Sequence, residues 1–394
     1  MKILEVVPYF YPAWSYGGPG KLVNDTTVYL ASMGHLVTVY SSDAYDRDRR
    51  MPITMKVKNS NTSTYFYFKN ISNTFAFRYH IFIAPRMFFQ IIWELSSFDI
   101  VHIHDFYILF NIWVSLLCRI LHKPYVISVH GCLEEKRMED KNGLKRLFLY
   151  TFGISMLQHA KALIATSYNE RKAYLSYNIP KERIIKMGHG INVKEFLTKK
   201  TKNVCRRIFH LKKTSFAISY VGRIHKIKGL DILVKAIALM ETDLIQVVIA
   251  GSDDGFLKDL KNLISVKGLN NHIQVYGPCF GSKKAELFKA SDLFIYPSYS
   301  EGFSLGILEA AGSGLPLLIT KGCHFEKLVR WNAGLVVDTT PEELAKGIRT
   351  IMKNNKRGRS FGNNAQIMIR KEYTMDKINN KLLNLYEYCI KKDS

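Results

Sequence analysis

Glu301-Gly302-Phe303-Ser304-Leu305-Gly306-Ile307-Leu308-Glu309-Ala310-Ala311-Gly312-Ser313-Gly314-Leu315-Pro316 is the segment on which the reading of this chain turns. It follows the apolar run Leu293–Tyr296 after a short polar loop. A strand ending at Tyr296, a loop carrying Glu301 and Gly302, and a helix starting near Ser304 form a strand-loop-helix unit. The first amides of such a helix and its dipole make an anion site, here with a carboxylate beside it. Phosphate fits that place. Glu309 lies eight residues after Glu301, so at ~1.5 Å rise per residue the two carboxylates are up to about 12 Å apart. That span suits hydroxyls at the two ends of a sugar nucleotide. An ordinary strand-loop-helix, with Glu301 complementing the dipole and Glu309 in water, is the other reading of the same residues.

Working outward, short β-branched runs alternate with helix-length segments. In the first half they are Ile3–Val7, Leu36–Ser41, Asp99–His104, Tyr125–His130 and Ala162–Thr166. In the second they are Ala217–Val221, Gln246–Ala250, Ile273–Tyr276, Leu293–Tyr296, Pro316–Thr320 and Gly334–Val337. The alternation predicts parallel sheets wrapped by helices, and 394 residues with 47% apolar content suggest two domains. The fold class expected is α/β, with two doubly wound Rossmann-like domains. The polar, basic stretch Lys194–Lys213 reads as the linker. The expected boundaries are 1–195, 196–372 and a terminal segment 373–394. In that segment Thr374 offers an N-cap, and Ile378, Leu382, Leu385, Tyr386 and Cys389 follow at helical spacing. This amphipathic helix is expected to pack back on the first domain. Ligands of open α/β sheets bind beyond the carboxyl ends of the strands, so two facing domains would hold the site in a cleft.

A net charge of +23 points to an anionic partner surface: nucleic acid, phospholipid or a phosphorylated substrate. A Lys-rich composition without functional meaning gives the same number. Basic residues cluster at Arg47, Arg49, Arg50, Lys56 and Lys58, from Lys199 to Lys213, and from Lys353 to Arg359. No aromatic-basic RNA signature or zinc-finger spacing accompanies them, which disfavours nucleic acid. The apolar windows Ile81–Phe98 and Phe106–Ile120 are interrupted or bounded by Arg86, Glu94, Asn111 and Arg119, short of a membrane span. Met1 leads directly into a strand-like run with no signal-peptide layout, so a cytosolic protein is expected. Cys118, Cys132, Cys205, Cys279, Cys323 and Cys389 form no C-x-x-C pair, which predicts reduced, mostly buried thiols.

Three further motifs carry chemistry. Gly222-Arg223-Ile224-His225-Lys226-Ile227-Lys228-Gly229 follows a strand and precedes a helix. Arg223 can grip a diphosphate through two parallel bonds and Lys228 as a point charge; an exposed basic loop is the alternative. Tyr16-Gly17-Gly18-Pro19-Gly20 opens a helix after the first strand, and its glycines allow close backbone approach, although a simple turn reads the same. His102, His104 and Asp105 follow one strand and His130-Gly131 the next. They offer no convincing set of metal-ligand spacings, and a neutral His130 donating a hydrogen bond in the cleft is favoured over a metal ligand. Asp253-Asp254 are expected to cap the next helix. No G-x-S-x-G elbow and no P-loop lysine motif is present, so hydrolase and kinase readings lack support.

Together these residues resemble glycosyltransferase family 4, the retaining nucleotide-sugar transferases of GT-B fold. The likeness runs through Gly17-Gly18, Leu30-Ala31, Gly34-His35, Asp99-Ile100-Val101-His102, His130-Gly131 and Gly190-Ile191-Asn192. It continues in Gly222-Arg223, Lys228-Gly229, the E-x7-E pair Glu301 and Glu309, and Asn332-Ala333-Gly334-Leu335-Val336. The resemblance implies Arg223 and Lys228 on the donor diphosphate, Glu301 on the donor sugar and Glu309 on the ribose. It places His130 on the sugar and Gly17-Gly18 near the phosphates, with Phe303, Ser304 and Leu305 completing the donor site. Glu301 and His130 are the implied catalytic pair. The implied activity is metal-independent, retaining hexosyl transfer without a cofactor. The donor is a nucleoside-diphosphate sugar, and the acceptor is a glycan or polyprenyl-linked glycan of cell-surface polysaccharide synthesis. The enzyme would be cytoplasmic, docked peripherally on the anionic inner face of the membrane. Asn192 stands where the family often has Asp, and Gly251-Ser252-Asp253-Asp254 replaces a Gly-x-Gly-Pro. Two rivals share these features: a sugar-nucleotide epimerase of the same fold, and a non-catalytic membrane or partner-binding module.

Overall fold

The computed structural model describes residues 1–13, 16, 18–51, 56–58, 60–133, 142–240 and 243–391. The chain divides into two compact units. One is Met1–His189 with Met375–Ser394, and the other is Gly190–Thr374.

The first unit is built on β1 (Lys2–Val6), β2 (Leu36–Ser42), β3 (Lys56–Lys58), β4 (Ser63–Phe68), β5 (Ile100–His104), β6 (Tyr125–Ser128), β7 (Ala162–Ala165) and β8 (Ile184–Lys186). Their order is β3-β4-β2-β1-β5-β6-β7-β8, and every described pairing is parallel except β3 with β4. Chain order reverses between β1 and β5, the position where open α/β sheets bind ligands. Both strands are covered on both faces, so their apolar residues run nearly continuously. Glu5, His102 and His104 interrupt those runs and are buried all the same.

The second unit holds β9 (Phe216–Val221), β10 (Ile245–Ala250), β11 (Ile273–Gly277), β12 (Leu293–Tyr296), β13 (Leu317–Thr320) and β14 (Gly334–Val337). The order β11-β10-β9-β12-β13-β14, all parallel, is that of a dinucleotide-binding fold, with its reversal between β9 and β12. The expected strands are present within a residue or two of their ends. β3, β4 and β8 were not expected.

The stretch Lys194–Lys213, expected as a linker, is folded into the second unit. A Thr201-capped helix spans Lys202–Ile208, and Phe196, Cys205, Phe209 and Leu211 enter the core. Three of its cations are bound locally: Lys202 and Arg206 reach Asp292 at 2.5 and 2.6 Å, and Lys200 reaches Glu286 at 2.7 Å. Anchors spaced widely in and around a basic helix bury as well as a dense run does. The terminal helix Met375–Lys391 buries Ile378, Leu382, Leu385, Tyr386 and Cys389 against Ile3, Val37, Ile100 and Val126 of the first unit. Among the described residues no helix is long and apolar enough to cross a membrane, and the two apolar windows form the helices Pro85–Glu94 and Leu109–Ile120. All six cysteines are free thiols, and five are buried.

Candidate active site

In the second unit, close packing of glycines draws the loops after the strands together. Gly229 adopts φ 66, and a Cβ there would lie 2.0 Å from the Pro297 carbonyl oxygen. Any side chain at that position would push the loop after β9 away from the loop after β12. Backbone contact is reinforced by the Tyr299 amide and the Ser298 hydroxyl, each donating to the Ile227 carbonyl at 2.9 Å.

The result is a buried ion pair across the sheet's reversal point. Lys228 donates to both oxygens of Glu301, at 2.9 Å to Oε2, and lies 5.7 Å from the centre of the Tyr296 ring. The Tyr296 hydroxyl donates to Glu301 Oε1 at 3.1 Å. Burial and the nearby Glu301 charge push the Tyr296 phenol well above its ordinary range, so it stays a donor.

Ser304 caps the helix Leu305–Gly312, accepting from the Ile307 amide at 3.4 Å, as the sequence suggested. The reading of Glu309 as a solvated residue does not hold. Glu309 is buried and accepts from Lys284 Nζ at 2.8 Å. Lys284 comes from the helix Gly281–Ala290, which also buries Leu287 and Phe288. A lysine one turn from such anchors was the available signal, and it was missed. The Phe303 ring joins Phe325 and Tyr373 in an aromatic group, at 6.1 and 6.0 Å between centroids, and Leu305 is half-buried.

Arg223 is half-exposed and donates to Asp254 Oδ2 at 2.6 Å. The expectation that both Asp253 and Asp254 cap the next helix is half corrected here. Asp253 does accept from the Leu257 amide at 3.1 Å, at the start of the helix Leu257–Val266. Asp254 instead holds the arginine.

In the first unit, His130 sits just past β6 at φ 50, followed by Gly131 at φ 85. Two consecutive left-handed residues, one of them not glycine, are costly and need fixing from outside. Glu170 does so: it accepts from the Gly131 amide, while its other oxygen takes the Thr166 amide and hydroxyl at 2.6 and 2.7 Å. His130 Nε2 lies 3.0 Å from His104 Nδ1, and His104 Nε2 lies 2.6 Å from Glu5 Oε2. The Tyr386 hydroxyl, from the terminal helix, donates to Glu5 Oε1 at 3.2 Å and meets His102 Nδ1 at 2.6 Å. His102 Nε2 lies 2.8 Å from Ser128 Oγ. His130 Nδ1 is buried and, among the described residues, has no hydrogen-bond partner. The His189 ring stands 5.7 Å away.

Burial, chiefly, drives His102, His104 and His189 down to about 3 and His130 well below its ordinary value, so all four rings are neutral at pH 7. Ligand-type atoms of Glu5, His102 and His104 lie within 4.8 Å of one another. Each is already taken up by a hydrogen bond, so the cluster is a hydrogen-bonded network. Gly17 lies outside the described residues, and Gly18 is the first residue of the helix Gly18–Ser32.

Two α/β units with the described strand orders, each with charged or polar groups at its reversal point, are the architecture of the GT-B fold. The family model described as Glycosyl transferases group 1 matches residues 202–368, and that of Glycosyltransferase Family 4 matches residues 16–195. The chain is a glycosyltransferase of the family 4 type. It is similar to the uncharacterized glycosyltransferase MJ1607 of Methanocaldococcus jannaschii, 24% identical over 99% of both chains. A D-inositol 3-phosphate glycosyltransferase of Arthrobacter sp. is 29% identical over 62% of this chain and 59% of its own. Among solved structures, Anabaena HepE in complex with UDP and glucose superposes with a TM-score of 0.79 at 17% identity, covering 98% of this chain and 100% of that one. Sucrose-phosphate synthase from Thermosynechococcus elongatus gives 0.78 at 18% identity, with 99% of both chains covered.

Proposed function

We propose that the chain transfers a hexose, with retention and without a metal ion, from a nucleoside-diphosphate sugar to a glycan or polyprenyl-linked glycan. The cell-surface polysaccharide pathway is the setting this reading assigns. The observation that carries it is the Lys228–Glu301 pair at the reversal point of the second sheet, in the unit that also holds Arg223 and the Lys284–Glu309 pair. Cation and carboxylate side by side match a diphosphate joined to a polyhydroxyl.

Arg223 and Lys228 bind the donor diphosphate, together with the first amides of the helix Leu305–Gly312. Phe303, Ser304 and Leu305 line that approach, with Gly17 and Gly18 near the phosphates. Glu301 takes hydroxyls of the sugar, Glu309 those of the ribose, and His130 meets the sugar. In the transition state the bond from the anomeric carbon to the phosphate oxygen breaks and its electron pair stays on that oxygen. The cations stabilise the charge developing there. The acceptor hydroxyl attacks the same face and passes its proton to the departing phosphate oxygen. No side chain is assigned as a covalent nucleophile.

A membrane-borne acceptor is supported by exposed apolar residues on the first unit. Phe89 and Trp93, 68% and 82% exposed, stand on the helix Pro85–Glu94 that also carries Arg86. Leu144, 79% exposed, stands on the helix Asn142–Phe148 beside Lys145 and Arg146. The segment around Arg47 is a weaker candidate, because Arg49 pairs with Asp46 at 2.6 Å and Arg50 with Asp43 at 2.9 Å. Isothermal titration with UDP, GDP and ADP, followed by product analysis over a panel of sugar nucleotides, tests the reading. Binding of none of the three would overturn it. A changed sugar nucleotide formed without acceptor would favour epimerisation, and an inverted anomeric centre in the product would remove retention.

A further inference from the structure

Glu5, His104 and His130 form an unbroken chain that begins on a fully buried carboxylate and ends on a buried ring nitrogen with no partner among the described residues. Each neutral imidazole carries one proton, so the direction of the hydrogen bonds at one end dictates the direction at the other. If Glu5 is ionised it only accepts. His104 then donates from Nε2, its Nδ1 accepts from His130 Nε2, and His130 Nδ1 is left as a lone pair. If Glu5 carries a proton on Oε2, every bond reverses and His130 Nδ1 becomes an N–H.

Three groups converge on Glu5. His104 Nε2 and the Tyr386 hydroxyl lie within hydrogen-bond distance of its oxygens, and His102 Nδ1 is 3.5 Å from Oε2. Tyr386 has a single proton, which it gives to Glu5 Oε1, so His102 donates to Tyr386 and accepts from Ser128. Every described donor in this arrangement has an acceptor when Glu5 is a carboxylate. The opposite arrangement ends on a buried N–H without a partner, the costlier kind of orphan.

We infer that Glu5, acting through His104, fixes the tautomer of His130 so that its Nδ1 is presented as a hydrogen-bond acceptor to a hydroxyl of the sugar substrate, the reverse of the donor role expected from the sequence. Glu5 and His104 are positioning residues, and the inference rests on the reading that His130 meets the sugar. The arrangement carries its own pH response. The titratable groups against Glu5 are His102 and His104 from β5 and Tyr386 from the terminal helix; those against His130 are His104, His102 and His189. The histidines are held neutral and Tyr386 is held protonated, which leaves Glu5 as the group whose protonation sets the direction of the chain. Burial raises its value, against the opposing pull of His102 and the Tyr386 hydroxyl.

Glu5→Gln tests this without a change of shape. The amide oxygen can keep the Tyr386 bond while the amide nitrogen donates to His104 Nε2, which reverses the chain. Nitrogen-15 correlation spectra of the histidine rings, recorded without substrate, should show His130 protonated on Nε2 in the wild type and on Nδ1 in Glu5→Gln. Turnover of the sugar nucleotide should fall at least tenfold in the variant. A wild-type His130 protonated on Nδ1, or one tautomer in both proteins, overturns the inference. Should Glu5→Gln not fold, acid titration of the wild type decides. The His130 tautomer should switch in step with the Glu5 carboxyl carbon shift, and a tautomer that stays constant while Glu5 protonates overturns it equally. The spectra need no glycosyl transfer, so they stand or fall separately from the proposed function.

Discussion

The Lys228 ammonium and the Glu301 carboxylate are joined in a buried ion pair where β9 and β12 end. A donor diphosphate that binds Lys228 must compete with Glu301 for it. Glu301→Gln weakens that competition while removing a carboxylate from the sugar. Nucleoside diphosphate affinity should therefore be kept or improved, with kcat at least tenfold lower. Lys228→Ala and Arg223→Ala each remove a charge-assisted contact of about 1.5–3 kcal/mol and should weaken diphosphate binding. Titration calorimetry beside turnover reads both effects. Equal loss of binding and turnover in Glu301→Gln, or unchanged affinity in both cation variants, would contradict these roles.

Lys284 and Glu309 form another buried pair of that unit. Removing one partner strands the other, at about 3–5 kcal/mol. Lys284→Met should lower Tm by roughly 10 °C. Adding Glu309→Gln should restore much of the loss, because no buried charge then remains. A double variant as unstable as the single one would show that the lysine acts through packing alone.

Four neutral histidines in the first unit make its stability depend on acid. Each has a folded pKa below its unfolded value of 6.5, so its contribution is complete above pH 6.5 and is lost as pH falls below it, toward about 3 for His102, His104 and His189. The slope is about 1.4 kcal/mol per pH unit for each fully titrating histidine. Glu5, with a raised value, has the opposite sign: its contribution is present at low pH and fades as pH rises through that value. The histidines outnumber it, so urea midpoints should drop steadily between pH 7 and 5. A flat profile over that range would refute the assignment of neutral rings.

If the exposed face of the helix Pro85–Glu94 docks on lipid, Phe89→Ser with Trp93→Ser should abolish sedimentation with anionic vesicles and leave diphosphate binding intact. Binding that resists both changes but disappears in high salt would return the role to the surface cations, since screening shortens to about 8 Å at 0.15 M salt.

Most of this architecture was readable from residue spacing, because parallel strands buried on both faces appear as dense apolar runs. β3 and β8 escaped because three residues carry no periodicity, and the helix Lys202–Ile208 escaped because lysines and arginines outnumber its anchors. Lys228, Glu301 and Ser304 were legible through their place after strands. Lys284, Asp254, Glu5 and Tyr386 were not, since each matters through a partner 25 to 381 positions away. Glu5 did leave one trace, a carboxylate amid Ile3, Leu4, Val6 and Val7.

The terminal helix also sets the order in which a newly made chain can mature. Ile3, Val37, Ile100 and Val126 reach their final partners only when Ile378, Leu382, Leu385 and Tyr386 have been synthesised. At about 5–20 residues per second, that wait is on the order of tens of seconds. All of Gly190–Thr374 leaves the ribosome within it. The portion translated first is thus the last to close, and for that interval its uncovered apolar surface is open to chaperones and to other nascent chains.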